Sequence, residues 1–490
     1  MYPPTKQPPW KHQVECWERS SKKPHFYIAH DMGAGKTKEA IDDINGFNSP
    51  SVLIVAPPKV ILNWPKQFEL NSASDQYSIL ALTKGSTVKK AAQLQEHLNR
   101  CQATGKYPVV VTNYETFWRY PLGCQMEEKN KFRIKKVGLL YKQQWGHLIF
   151  DEAHRLKSPG GRASWAAASL AKHADRRLML SGTPMPHSPL DIYAQMRALE
   201  PSVFGTNFGK FKARYSIMGG FENRQVLGWQ NLDELQTKLA EWAHYVSIDD
   251  ALDLPETTDV EVECELDEKT LKIYAMLNKE FIADVDNGII TVNNALDKLL
   301  RLQQITTGHV VLEDGSEKII DNNKIETLLE IAEDINPKEP IVIFYLFKQE
   351  GRRIKEGLLK MGRKVAEISG QMDQQHLFES GQADTALVQI QSGSEGLDTL
   401  TRARYCIYGC VGFSLGRYLQ SRRRVWRPGQ TRKVIYYHVV ARNTVDKKIM
   451  RSLIKKQEVV NNILAEIRHQ HNAVVNPFTD INALARAATR

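Results

Sequence analysis

Two short stretches of this 490-residue chain hold the residue types that phosphate chemistry needs. The first is Asp31-Met32-Gly33-Ala34-Gly35-Lys36-Thr37, which follows the strand-like run Phe26-Tyr27-Ile28-Ala29. Glycines such as Gly33 and Gly35 let backbone N–H groups approach phosphate oxygens. Lys36 is placed to reach the β- and γ-oxygens, and the Thr37 hydroxyl helps to hold Mg²⁺. The helix that follows, from Lys38 to about Ile44 and closed by Asn45-Gly46, turns its positive N-terminus on the anion. His30 stands where the strict pattern wants its first glycine. The second stretch is Asp151-Glu152-Ala153-His154, directly after the apolar run Leu148-Ile149-Phe150. A buried strand ending in two carboxylates puts acids at the carboxyl edge of a sheet, where open α/β folds bind ligands. There Asp151 can hold a Mg²⁺ ion, a hard cation that prefers oxygen. Glu152 can polarise the water that attacks a γ-phosphate. Alone, such a tetrapeptide also suits a solvated acidic turn. The strand, loop and helix upstream decide for a nucleotide.

The elements that must position these groups are legible as short apolar runs. Val52-Leu53-Ile54-Val55-Ala56 leads to Pro57-Pro58-Lys59, and Val109-Val110-Val111-Thr112 leads to Asn113-Tyr114-Glu115-Thr116. An alanine-rich helix from about Arg162 to Lys172 separates the acids from Arg177-Leu178-Met179-Leu180, which enters Ser181-Gly182-Thr183-Pro184. Strands alternating with helices predict a parallel sheet covered on both faces, a RecA-like lobe. Apolar spacing predicts further helices over Asp267–Asn287 and about Asn294–Ile305, and a hairpin around Asp314-Gly315. From Asn323 the α/β alternation resumes with Ile341–Tyr345, Ala386–Ile390 and Tyr405–Tyr408. The expected class is therefore α/β: two tandem RecA-like lobes, each a parallel sheet with helices on both faces, plus helical insertions. The second lobe lacks a phosphate loop. It makes sense if it supplies groups to the first lobe's nucleotide, and arginine, with its permanently charged fork, suits that task. The run Arg422-Arg423-Arg424-Val425-Trp426-Arg427 offers candidates, although such a run also suits a solvated basic face or phosphate contact with nucleic acid.

The ordered series of Gln13, the phosphate loop, APPKVILNW, TNYET, DEAHRLKSP and SGTP resembles the first lobe of a Swi/Snf-type ATPase, a branch of helicase superfamily two. The resemblance spans about residues 10–455. It implies a DNA-stimulated ATPase, with ATP and Mg²⁺ as cofactors. It implies Gln13, Gly396 and Asp398 beside the phosphate loop as ATP-binding residues, and arginine fingers at Arg424 and Arg427. These two would share one face if their helix continues. It implies His154, Ser181, Thr183 and Gln420 as coupling residues. Lys59, Asn63, Tyr114, Thr183 and Ser392, with the loop near Gly370, would face a nucleic-acid groove. The domains expected are 1–245, with a helical protrusion at about 185–245; a linker and helical or hairpin insertion at 246–322; a second lobe at 323–455; and a helical tail at 456–490. Four positions depart from the family pattern. His12 stands where tyrosine is common, Asp398 where asparagine is usual, and Trp426 and Pro428 replace a histidine and an aliphatic residue.

Composition narrows the class. A hydrophobic share of 42% and a charged share of 25% belong to a globular chain, and no apolar run approaches the roughly 20 residues of a membrane span. Met1-Tyr2-Pro3-Pro4 lacks the build of a signal peptide, and among the six cysteines only Cys406 and Cys410 are close, so no zinc cluster of cysteine pairs forms. The net charge of +10 favours a polyanionic partner. The expectation is an ATP-driven translocase on double-stranded or branched DNA that displaces proteins or remodels forks. It would be monomeric and cytoplasmic in a bacterial or phage-infected cell, or nuclear in a eukaryote. A strand-separating DNA or RNA helicase and an ATP-gated clamp that does not travel remain the alternatives.

Overall fold

The computed structural model describes residues 1–128, 132–220, 225–247, 251, 254–286, 292–312, 314–393 and 400–475. It divides into two compact units, one of Met1–Ala251 with the chain from Glu458, the other of Leu252–Gln457.

The first unit is built on a seven-stranded sheet whose neighbours are all parallel. Its order is Ala243–His244, His25–Ile28, Ala174–Leu180, Trp145–Asp151, Val52–Ala56, Tyr107–Asn113 and Tyr77–Ala81. Val52–Ala56 and Trp145–Asp151 are buried along their whole length, which is why they read as unbroken apolar runs rather than alternating ones. Ile41 and Ile44 of the helix Lys36–Gly46 pack with Phe26, Ile54, Ile149 and Leu178 in one core. A buried ion-pair cluster fixes that helix to the sheet. Arg176 Nε and Nη2 donate to the two oxygens of Asp43 at 2.5 and 2.6 Å, and His147 Nε2 lies 2.9 Å from Asp43. Burial pushes the Asp43 carboxyl up, but Arg176 and then His147 outweigh it and hold it at about 2.

The expected protrusion at 185–245 contains the helices Ile192–Leu199, Phe208–Tyr215 and Leu232–Ala240 and an antiparallel hairpin, Ser216–Gly219 with Gln225–Trp229. It returns as the short edge strand Ala243–His244, which pairs with His25–Ile28.

The second unit has a six-stranded parallel sheet in the order Thr257–Cys264, Val434–Ala441, Tyr405–Tyr408, Ile341–Tyr345, Thr385–Gln389 and Val365–Ile368. Thr257–Cys264 lies within the stretch read from sequence as linker and insertion, yet it pairs with Val434–Ala441 over eight residues. The helices expected near 267–287 and 294–305 occupy Glu268–Asp286 and Val292–Thr306, and the small hairpin joins His309–Val311 to Glu317–Ile319. A long helix, Val445–Val475, closes the described chain. Its first turn is anchored by Asp446, which accepts from Lys324 Nζ at 2.6 Å and Thr306 Oγ1 at 3.0 Å. The tail expected beyond it falls partly on 476–490, outside the described residues.

Candidate functional site

The phosphate loop begins where the strand His25–Ile28 ends. Its first residues are held by the neighbouring edge, with Ala29 N donating to His244 O at 2.9 Å and Asp31 N to Val246 O at 3.0 Å. Gly33 and Gly35 take φ values of 89° and 81°, a left-handed conformation that strains any L side chain. A Cβ on Gly35 would also collide with the amide of Gln13. Lys36 opens the helix and donates from Nζ to His30 O at 2.8 Å and Asp31 O at 3.0 Å, so its ammonium folds over the loop. Gln13 is buried: its Oε1 accepts from Trp10 N at 2.9 Å and its Nε2 donates to Gly35 O at 3.4 Å. Sequence reasoning placed Gln13, Gly33, Gly35 and Lys36 together, and the fold brings them together.

Asp151 is the last residue of its strand, three strands from the edge that holds the phosphate loop. Trp64 Nε1 donates to its Oδ2 at 3.1 Å and Tyr114 OH to its backbone oxygen at 2.8 Å. Burial pushes the Asp151 carboxyl up to about 7, with the charge of Glu152 acting the same way and Lys36 opposing. The Asp151 carboxylate and the Thr37 hydroxyl are hard oxygen donors of the kind a Mg²⁺ ion takes. Glu152 adopts φ 52° and ψ 51°, a strained conformation for a non-glycine residue and one that clusters at functional sites. From it a chain of contacts leads away. Glu152 Oε2 lies 3.2 Å from His154 Nδ1, His154 Nδ1 lies 3.1 Å from Ser181 Oγ, and Thr183 N donates to Ser181 Oγ at 3.2 Å. Gly182 lets this segment approach the phosphate loop, since a Cβ there would press on Met32. Gln195 braces it from the next helix, accepting from Tyr27 OH at 2.6 Å and donating to Pro184 O at 2.7 Å.

The residues assigned to a nucleic-acid groove divide into two kinds. Lys59 is exposed and Asn63 half-buried at the start of the helix Asn63–Asn71. Tyr114 is 5% exposed with its hydroxyl held under the acidic turn, and the Thr183 hydroxyl is buried without a hydrogen-bond partner among the described residues. Tyr114 thus braces the acidic turn, and both residues show little surface to a duplex in this conformation. Trp64, part of the APPKVILNW stretch but given no role from sequence, is the residue that fixes the Asp151 carboxylate. Its signal was the lone tryptophan just after a predicted strand and loop.

In the second unit Arg424 is buried in the helix Leu415–Val425, as are Gln420 and Ser421. The helix stops at Val425, with Trp426 at φ −96° and ψ 90°. The helix does not continue to Arg427, so the condition under which Arg424 and Arg427 would share a helical face is not met. Arg427 precedes Pro428, whose ring disfavours the α conformation at the residue before it. Arg422 is not part of a solvated basic face either. It forms a bidentate pair with Asp259, and its guanidinium lies 3.9 Å from the Tyr436 ring centroid. Trp426 Nε1 donates to Pro255 O at 2.7 Å. Gly396, Asp398 and the side chain of Ser392 lie outside the described residues.

Comparison with known proteins places the chain in a family. The SNF2-related domain matches residues 13–309, more than half of the chain, and the helicase conserved C-terminal domain matches residues 323–429. The Drosophila melanogaster SWI/SNF-related matrix-associated actin-dependent regulator of chromatin subfamily A-like protein 1 is 24% identical over 463 residues, covering 90% of this chain and 54% of its own length. A Mycoplasma genitalium protein named as an uncharacterized ATP-dependent helicase is 23% identical over 457 residues, covering 90% of this chain and 40% of its own length. The chain thus spans about half, or less, of the length of these relatives. The Sulfolobus solfataricus SWI2/SNF2 ATPase core in complex with dsDNA shares 20% identity at a TM-score of 0.40, over 94% of this chain and 93% of that one. With both domains matched in order and the nucleotide motifs assembled in the first unit, the chain belongs to the SNF2-related family of helicase-like ATPases.

Proposed function

We propose that this chain is an ATP-dependent translocase on double-stranded DNA, driven by closure of its two lobes and used to displace proteins or remodel forks and branches. The observation that carries the reading is the path Glu152–His154–Ser181–Thr183, which links the residue placed to polarise water to the segment after the neighbouring strand. A change at the γ-phosphate is thereby felt outside the nucleotide site. The phosphate loop and Lys36 bind the triphosphate and Gln13 closes the loop from behind. Glu152 orients and deprotonates the attacking water. Thr37 and Asp151 would hold Mg²⁺, which neutralises charge on the phosphate oxygens. Arg424 and Arg427 complete the site when the lobes close, stabilising charge in the transition state. Lys59 and Asn63 grip phosphates, contacts that carry no sequence information. The domain limits 1–245, 246–322, 323–455 and 456–490, a monomeric state and a double-stranded or branched DNA partner belong to the same reading. Among the described residues no helix is long and apolar enough to cross a membrane.

Displacement of a third strand from a DNA triplex tests this reading. The expected result is displacement that needs ATP and a duplex track. ATP-dependent DNA binding without displacement would establish a clamp, and separation of the duplex strands themselves a helicase.

A further inference from the structure

Behind the phosphate loop lies a buried cluster that the nucleotide chemistry does not use. It draws His12 from the helix Lys11–Ser20, His30 from the residue before the loop, Glu39 from the helix after it and His244 from the edge strand. All four are buried, His30 completely. His30 Nε2 lies 2.8 Å from His244 Nδ1, and its Nδ1 lies 2.9 Å from Glu39 Oε2. His12 Nε2 lies 2.9 Å from Ala34 O. A carbonyl only accepts, so a neutral His12 ring carries its proton on Nε2 and offers a lone pair on Nδ1. When His30 donates from Nε2 to His244, its Nδ1 lone pair likewise faces the Glu39 carboxylate. A lone pair and a carboxylate at that distance repel unless a proton or a cation joins them. Neither oxygen of Glu39 nor Nδ1 of His30 makes a hydrogen bond.

One ring nitrogen of His12, one of His30 and a carboxylate oxygen of Glu39 lie within 4.8 Å of one another. We propose that His12, His30 and Glu39 form a second metal site, distinct from the nucleotide's Mg²⁺ site, for a divalent ion of the zinc class. Two imidazoles and a carboxylate suit zinc and leave a fourth position for water. Ligating histidines are oriented by a hydrogen bond at the other ring nitrogen, as Ala34 O and His244 provide here. His12 and His30 are also two of the positions where the chain departs from the expected patterns, and one site accounts for both. The ion would staple the first helix to the phosphate loop, whose Lys36 rests on the carbonyl of His30.

The test is zinc content of the full chain after incubation with zinc chloride, without nucleotide, and gel filtration. About one zinc per chain is expected in the wild type and in Asp151→Asn, with loss in Glu39→Gln and His12→Phe. Zinc should also raise the melting temperature of the wild type and not of His12→Phe. X-ray absorption on the wild-type zinc protein, which needs no variant to fold, should show nitrogen and oxygen neighbours only, two of them imidazoles. No zinc in the wild type overturns the proposal, as does zinc retained in the Glu39→Gln, His12→Phe double variant. Loss of zinc in Asp151→Asn would put the ion in the nucleotide site. A sulfur neighbour would put it on Cys16, His30 and His244, the other face of the ring, and overturn the assignment equally.

Discussion

At the scale of single residues, Lys36 and Glu152 make separable demands. Lys36 is the side-chain cation that folds over the phosphate loop, so Lys36→Ala removes ground-state as well as transition-state contacts. Nucleotide binding, measured by a fluorescent ATP analogue, should weaken and turnover should be lost; near wild-type ATPase activity would remove Lys36 from the site. Glu152→Gln keeps the shape of the acidic turn and removes the proposed base. Binding should persist while steady-state hydrolysis falls about 10²- to 10⁴-fold, the usual contribution of a positioned acid or base. If hydrolysis is the step that reopens the lobes, as proposed, the same variant should release DNA more slowly in ATP. Arg427→Ala tests the finger assignment. ATP binding should stay near wild type while turnover drops by about 10³- to 10⁵-fold, and Arg427→Lys should rescue little because an ammonium lacks the planar fork. Full turnover at saturating DNA would show that Arg427 is a DNA contact instead.

At the scale of elements, the helix carrying the phosphate loop depends on a cluster far from the nucleotide. Asp43 is shared by Arg176 and His147, both buried. Asp43→Ala leaves a buried guanidinium with the carbonyls of Ser20 and Lys23 but without its counter-charge, and should cost about 3–5 kcal/mol of stability. The Asp43 carboxyl is held at about 2, below its ordinary 3.8. A carboxyl depressed on folding contributes fully above the unfolded value and loses that contribution as pH falls through the folded one. Between about pH 4 and pH 2 the wild type should therefore lose melting temperature more steeply than Asp43→Asn, which starts lower at neutral pH; equal slopes by calorimetry would exclude Asp43 as the source. The arginine helix follows the same logic. Arg422 holds Asp259 on the edge strand Thr257–Cys264, so Arg422→Ala should destabilise the second unit by about 1.5–3 kcal/mol, the range for hydrogen bonds to charged groups.

At the scale of the whole molecule, the chain carries a net charge of +10 and an isoelectric point near 9.1. If phosphate contacts dominate its grip, DNA affinity should fall steeply with salt and barely respond to base sequence. Fluorescence anisotropy on a duplex and its scrambled counterpart, at several salt concentrations, checks this. A strong preference for one sequence at equal salt would argue against a travelling motor.

The chemistry was legible in the chain because each motif is contiguous. Gly33, Gly35, Lys36 and Thr37 sit within five residues, and Asp151 directly follows an apolar run, so no knowledge of the sheet was needed to see a nucleotide site. Buried parallel strands were equally visible as apolar runs. Half-exposed edges were harder. Thr257–Cys264 does alternate, with Val260, Val262 and Cys264 against Asp259, Glu261 and Glu263, but such a pattern only becomes a strand when Val434–Ala441 arrives beside it. What no local pattern contains is which distant groups share a charge or a proton. Asp43 meets Arg176 across 133 residues, Arg422 meets Asp259 across 163, and His30 meets His244 across 214. Those pairings follow from strand order, and only the folded sheet fixes it. Sequence therefore determined the reaction this chain is equipped for, while tertiary structure decided which arginine is a strut, which tyrosine is buried, and which histidines converge behind the phosphate loop.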